Sequence, residues 1–233
     1  MHPAATDRFT EVAREEPRAA ATTLTARARL GAVALAVAGI LFVLYPAIRP
    51  FSSEVGLDGA AAFGSSNWIA AHMLAMVGFA LLAVGLLCWY ATLARQPVAG
   101  RAFWALAVTV LGIALSLPFY GGEAFGLHAI GQRALRQHNP DLVGLAGTVR
   151  GGAGLILFLT GLLVLAVGTI LVAITTWKSR NYARWSGVPL ALAFGLYIPQ
   201  FFGTQPLRVA HGLLVTLGCG WLAVELWRHG HDA

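Results

Sequence analysis

The sequence predicts an all-α, polytopic membrane protein with six transmembrane helices. Three observations carry that prediction. Apolar residues make up 58% of the 233-residue chain. Only 11% of it is charged, against roughly 25% in an ordinary soluble domain. Uncharged apolar runs of about 20 residues, the length that crosses a hydrocarbon core as a helix, recur from end to end. No run alternates apolar and polar residues with the period of two that a membrane β-strand needs, so helices are the spanning elements. The same composition excludes a cytosolic globule, a disordered chain, a collagen and a disulfide scaffold.

The elements follow in order. Residues 1–29 hold Arg8, Glu11, Arg14, Glu15, Glu16, Arg18, Arg27 and Arg29. They are too long and too acidic for the start of a cleaved signal peptide, and are expected to form a retained cytoplasmic tail. Its Ala/Thr-rich stretch at 19–25 predicts a flexible or weakly helical approach. A membrane domain over 30–227 comes next, its spans predicted at 30–48, about 67–93, 102 to about 120, 152–177, 185 to about 202, and about 206–227. The third and fifth are short and contain proline, which predicts a tilt or a kink. Residues 228–233 form a short cytoplasmic tail. Between spans three and four lies a long outer loop, 123–150, in which 123–137 is expected as an interfacial helix with Leu127, Ile130, Ala134 and Leu135 on its apolar side.

Basic residues set the orientation. With both termini inside, the cytoplasmic side holds 11 of the 16 Arg and Lys residues, and the two inner loops carry basic charge alone. The outer loops mix Arg49, Arg133, Arg136, Arg150 and Arg208 with Glu54, Asp58, Glu123 and Asp141. This bias predicts N-in, C-in in a plasma membrane. It also accounts for the net charge of +6 by attraction to anionic lipid, so no nucleic-acid partner is expected. Trp68, Trp89, Tyr90, Trp104, Trp177, Trp185, Trp221 and Trp227 fall near span ends, where an interfacial belt is expected. Cys88 and Cys219 sit within apolar runs and match no metal or redox spacing.

Two hairpins share a pattern. Leu44-Tyr45-Pro46 followed by Ala71-His72 in the first corresponds to Leu196-Tyr197-x-Pro199 followed by Ala210-His211 in the last, which suggests three repeated hairpins. Gly147 with Gly151, Gly161 with Gly168, and Gly78 with Gly85 supply small faces for close helix packing.

Chemistry, if any, belongs with the scarce polar residues of the membrane domain. His72 and His211 are predicted at one depth, about a turn inside the outer ends of their spans, with Glu123, His128, Gln132, His138, Gln200, Gln205 and Arg208 on the same face. Three readings stay open. In the first, the histidines satisfy backbone, water or headgroups, and Glu123 pairs with Arg133, Arg136 or Arg208. The second is a metal centre of His72, His128, His211 and Glu123 holding zinc or copper, with a haem b held between His72 and His211 as its variant. In the third, His72, His211, Glu123 and Arg208 form a protonatable, anion-attracting vestibule of a small-solute or proton-linked permease. The sixth span's Ala210-His211 invites comparison with rhomboid-type proteases. However, position 214 is Leu and the span 152–177 contains no serine, so no nucleophile is available there; Ser116 is expected to serve helix packing. No catalytic site is predicted.

Through Tyr45-Pro46-x-x-Arg49-Pro50-Phe51, Ala71-His72-x-Leu74-Ala75-Met76-Val77-Gly78-Phe79 and Glu123-Ala124-Phe125-Gly126-Leu127-His128-Ala129-Ile130-Gly131, the chain resembles uncharacterised small multi-pass membrane proteins of high-GC bacteria. That resemblance implies a membrane location and supplies no catalytic residues to carry over.

Overall fold

A computed structural model describes residues 23–230 in full, and the backbone of the first helix back to Pro3. Most of the tail expected over 1–29, and residues 231–233 of the C-terminal tail, lie outside the fully described part. The helices are α1 (Pro3–Ile48), α2 (Gly56–Gly64), α3 (Ser66–Leu93), α4 (Ala99–Gly121), α5 (His128–Gln137), α6 (Leu145–Arg150), α7 (Gly152–Ser179), α8 (Val188–Gly195) and α9 (Gln205–His229). No strand occurs among the described residues. Where the stretch at 19–25 is described, from Thr23, it is regular helix.

Five helical segments are long and apolar enough to cross a membrane: Thr23–Ile48, Ser66–Leu93, Ala99–Gln137, Gly152–Ser179 and Gln205–His229. The chain is thus a multi-pass helical membrane protein. The expected span at 185–202 is interrupted. After α8 the regular α-helix ends at Leu196, and the chain continues through tightened, hydrogen-bonded turns into a short 3-10 turn, Pro199–Phe202. Pro199 has no N–H to continue the ladder and its ring opposes the carbonyl four residues back, at Gly195, itself a poor helix former.

Consecutive spans pair as neighbours: α1 on α3, α4 on α7 and α8 on α9, with α1 also lying along α9. Small residues permit these approaches. A Cβ at Gly168 of α7 would lie 2.6 Å from the backbone nitrogen of Thr109, and one at Gly161 would lie 2.9 Å from that of Ser116. Gly78 faces the Phe42 ring in the same manner, whereas nothing lies near Gly147, so only part of the expected glycine set serves close packing. Phe42, Phe79, Phe158, Leu162 and Phe194 fill the main core, which also buries Cys88 and Cys219.

The two ends of the bundle differ. At one, Arg29 of α1 lies 5.7 Å from the Trp227 ring of α9, so this part of the first helix and the end of the last meet on the same side of the bundle. There the Ala183 N–H donates to Glu225 at 2.8 Å, and the Tyr182 phenol bonds Thr92. The other end is capped. Instead of a separate interfacial helix at 123–137, α4 runs through a π-helical turn, Gly122–Leu127, directly into α5. Pro118, which removes one ladder bond, and the glycines at 121, 122 and 126 explain why the register slips there. The loop 123–150 folds back onto α2, forming a second small core of Ala60, Phe63, Trp68, Leu127, Ala134, Val143 and Ala146. Leu127 and Ala134 are buried as the pattern predicts, while Leu135 is exposed.

Trp68 and Trp89 are fully buried within the protein. Both sit on faces of α3 that meet other elements, and the Trp68 indole N–H donates to the Glu123 carbonyl at 2.7 Å. Trp104 and Trp185 are exposed, as a belt residue would be.

Candidate functional site

Beneath the cap lies a cavity of about 720 Å³, a volume typical of small-molecule sites. Its lining combines the polar and charged residues Arg49, Ser52, Glu54, Glu123, Arg150 and Arg208 with apolar ones, among them Phe51, Phe119, Leu155, Phe158, Ile198 and Phe201, and with Tyr45 and Tyr120.

The π-helical turn carries Glu123, whose residue is 7% exposed, into the interior. Arg150, at the end of α6, donates to it through Nε at 2.5 Å and Nη2 at 2.9 Å, and through Nη1 to Glu54 at 2.5 Å. Burial disfavours the Arg150 guanidinium's charge, but the two carboxylates more than offset that and raise its pKa. Arg49 adds a 2.7 Å bond to the other oxygen of Glu54. Its guanidinium stacks 4.5 Å from the Trp68 ring, against which Arg150 also lies. The expectation that Glu123 pairs with Arg133, Arg136 or Arg208 is therefore corrected to Arg150, which the returning loop brings back across the bundle.

His72 is 1% exposed and faces Glu123, Nε2 to Oε2, at 3.6 Å. Its Nδ1 lies 2.7 Å from the Trp68 carbonyl. A carbonyl only accepts, so that nitrogen bears the ring proton and Nε2 is the atom turned toward the carboxylate. His211 instead donates Nε2–H to the Ala193 carbonyl at 2.8 Å. In His128, Nδ1 donates to the Phe63 carbonyl at 3.0 Å, and Nε2 meets the Gln132 amide at 2.9 Å. Of the four residues considered as metal ligands, His72 and Glu123 meet, while His128 and His211 are engaged elsewhere. Among the described residues no group of three or more His, Cys, Asp or Glu is placed to hold a metal ion.

Between the two intramembrane histidines stands a tyrosine cluster. The His72 ring lies 5.5 Å from that of Tyr45, the Tyr120 and Tyr197 hydroxyls bond at 2.7 Å, and the Tyr197 ring lies 5.2 Å from His211. These tyrosines, with Arg49, Glu54 and Arg150, are what sequence reasoning missed. The matching Tyr-Pro spacings in the first and last hairpins were the available signal.

Arg208 is the odd member. The cavity wall has three arginines against two glutamates, and both glutamates are taken by Arg49 and Arg150. Arg208 donates Nε–H to the Gly203 carbonyl at 3.1 Å and Nη2–H to the Phe201 carbonyl at 2.5 Å, and lies 5.1 Å from the Phe51 ring. Among the described residues it has no carboxylate partner.

Fold and site together define a multi-pass helical membrane protein with a charged, aromatic-walled cavity under a cap at one end. Comparison with protein-family models, curated proteins and solved structures found no match to this chain.

Proposed function

We propose that this is a six-crossing protein of the plasma membrane, with both termini cytoplasmic, that binds an organic anion in its extracytoplasmic cavity. The five long helices supply five crossings. The interrupted segment, which joins the Tyr182 end of the bundle to the Arg208 end, supplies the sixth. The positive-inside bias of the loops supports the orientation.

One observation carries the binding assignment. Arg208 lines the cavity with no carboxylate ion-pair partner among the described residues, held in place by two backbone carbonyls beside a phenylalanine ring. A half-buried guanidinium so placed makes charge-assisted bonds to a ligand carboxylate or phosphate. The aromatic residues that line the same cavity accommodate the ligand's apolar portion. The test is thermal unfolding of the detergent-purified protein with octanoate and with octanol. Octanoate is expected to raise Tm, octanol to leave it unchanged, and Arg208→Gln to abolish the difference. Equal effects of the two probes, or an unaltered response in R208Q, would defeat the assignment.

A second reading, transport of that anion, is favoured by the interruption of regular helix between α8 and the 3-10 turn, since discontinuous helices at cavities recur in carriers. Flux of labelled octanoate into proteoliposomes tests it; binding without flux leaves a receptor or sensor.

A further inference from the structure

We infer that the anion is the head group of a membrane phospholipid, which enters the cavity sideways from the outer leaflet. This rests on the anion-binding reading above and names the ligand class. The packing around α8 carries it. Toward the Tyr182 end, α8 fills the space between α7 and α9, packing on both. It is only eight residues long. Toward the capped end, its place is taken by a short run of turns and the 3-10 turn, which packs on α9. There the gap to α7 is bridged by side chains, Phe158 against Phe201 with ring centroids 5.9 Å apart, rather than by helix backbone.

The apolar wall of the cavity lies at this gap and continues to the bundle surface. Phe202, which lines the cavity, is 90% exposed, and Leu155 across the gap is exposed as well. In a bilayer those surfaces meet acyl chains. A lipid therefore places its chain along Leu155, Phe158 and Ile198 without leaving a hydrocarbon environment, and its phosphate at Arg208. Charge complementarity selects an anionic lipid over a zwitterionic one, because Arg208 is the only lining arginine not already matched by a carboxylate.

The experiment measures binding to purified full-length protein in a neutral detergent, by shift of Tm against ligand concentration. Its probes are phosphatidylglycerol, phosphatidylcholine with the same chains, octanoate and inorganic phosphate. Phosphatidylglycerol is expected to bind about tenfold or more tightly than phosphatidylcholine, and R208Q to remove that preference. Leu155→Trp, at an exposed position, is expected to weaken phosphatidylglycerol about tenfold while leaving octanoate within about twofold. The unliganded Tm of each variant reports whether it is folded, and Trp104→Phe, far from the cavity lining, serves as a reference. Inorganic phosphate binding as well as phosphatidylglycerol, or L155W leaving phosphatidylglycerol unchanged, overturns lateral lipid entry but leaves the anion site standing. Loss of Arg208-dependent binding for octanoate and phosphatidylglycerol alike overturns both.

Discussion

Replacing Arg150 with Gln should loosen the cap and the site together. The guanidinium makes three hydrogen bonds to two carboxylates, at 2.5, 2.5 and 2.9 Å, and stacks near Phe63 and Trp68. Removing it leaves the Glu123 carboxylate facing the His72 ring at 3.6 Å, and leaves Glu54 with Arg49 alone. Breaking a fully buried pair costs about 3–5 kcal/mol through the stranded charge. Side-chain exposure here is 29% for Arg150, 28% for Glu54 and 9% for Glu123, so solvent screening brings the expected loss to about 2–3 kcal/mol. Unfolding in mixed micelles, followed by circular dichroism, measures it. Glu123→Gln in the R150Q background removes the stranded charge, and the double-mutant cycle should return a coupling of about 1.5–3 kcal/mol. Arg150→Lys should recover less than half of the loss, because a point charge cannot reproduce a fork that reaches both carboxylates. A cost below about 0.5 kcal/mol for R150Q, or strict additivity with E123Q, would refute the view that this network holds the cap.

Other expectations follow from single contacts. Gly168→Val drives a side chain into the Thr109 backbone and should destabilise by about 1–3 kcal/mol or prevent folding, whereas Gly147→Ala, with open space around it, should be neutral; unfolding midpoints decide. Trp68→Phe removes the buried N–H donated to the Glu123 carbonyl and should cost about 1–3 kcal/mol, read as a lowered Tm. At the opposite end, Glu225→Ala strips the acceptor from the Ala183 N–H and should cost about 1 kcal/mol. Arg228→Ala should cost almost nothing, because its pair with Glu225 is long and its own side chain is largely exposed. Single cysteines at Ser53 and Ser179 should label from outside and inside respectively with an impermeant maleimide, and inside labelling at position 53 would invert the proposed topology.

How much of this was legible beforehand depended on range. Apolar runs mark α1, α3, α4, α7 and α9, because each needs only its own length and hydropathy. The run at 185–202 reads the same way, yet Gly195 and Pro199 break it, a local conflict that hydropathy does not register. The loop 123–150 shows the limit most clearly. Its apolar residues suggested an interface helix, but α4 continues into α5 through a π-helical turn, and only that slip turns Glu123 inward. His72 and Glu123 were legible as isolated polar groups in an apolar chain. Arg150 as the partner, 27 residues from Glu123, was not, because a sequence carries no distance between distant residues. In the sequence Tyr45 and Tyr197 stand out as parts of the repeated hairpin pattern; with Tyr120 they form the cluster between the histidines.

The central claim is that Arg208 makes the capped cavity a site for an amphipathic anion. Native mass spectrometry of the protein released from neutral micelles tests it most directly. The wild type should retain an anionic lipid or fatty acid at one equivalent, Arg208→Gln should lose it, and Arg228→Gln, a charge change at the far end of α9, should keep it. An adduct that survives R208Q, or equal retention of neutral and anionic species, would contradict the account.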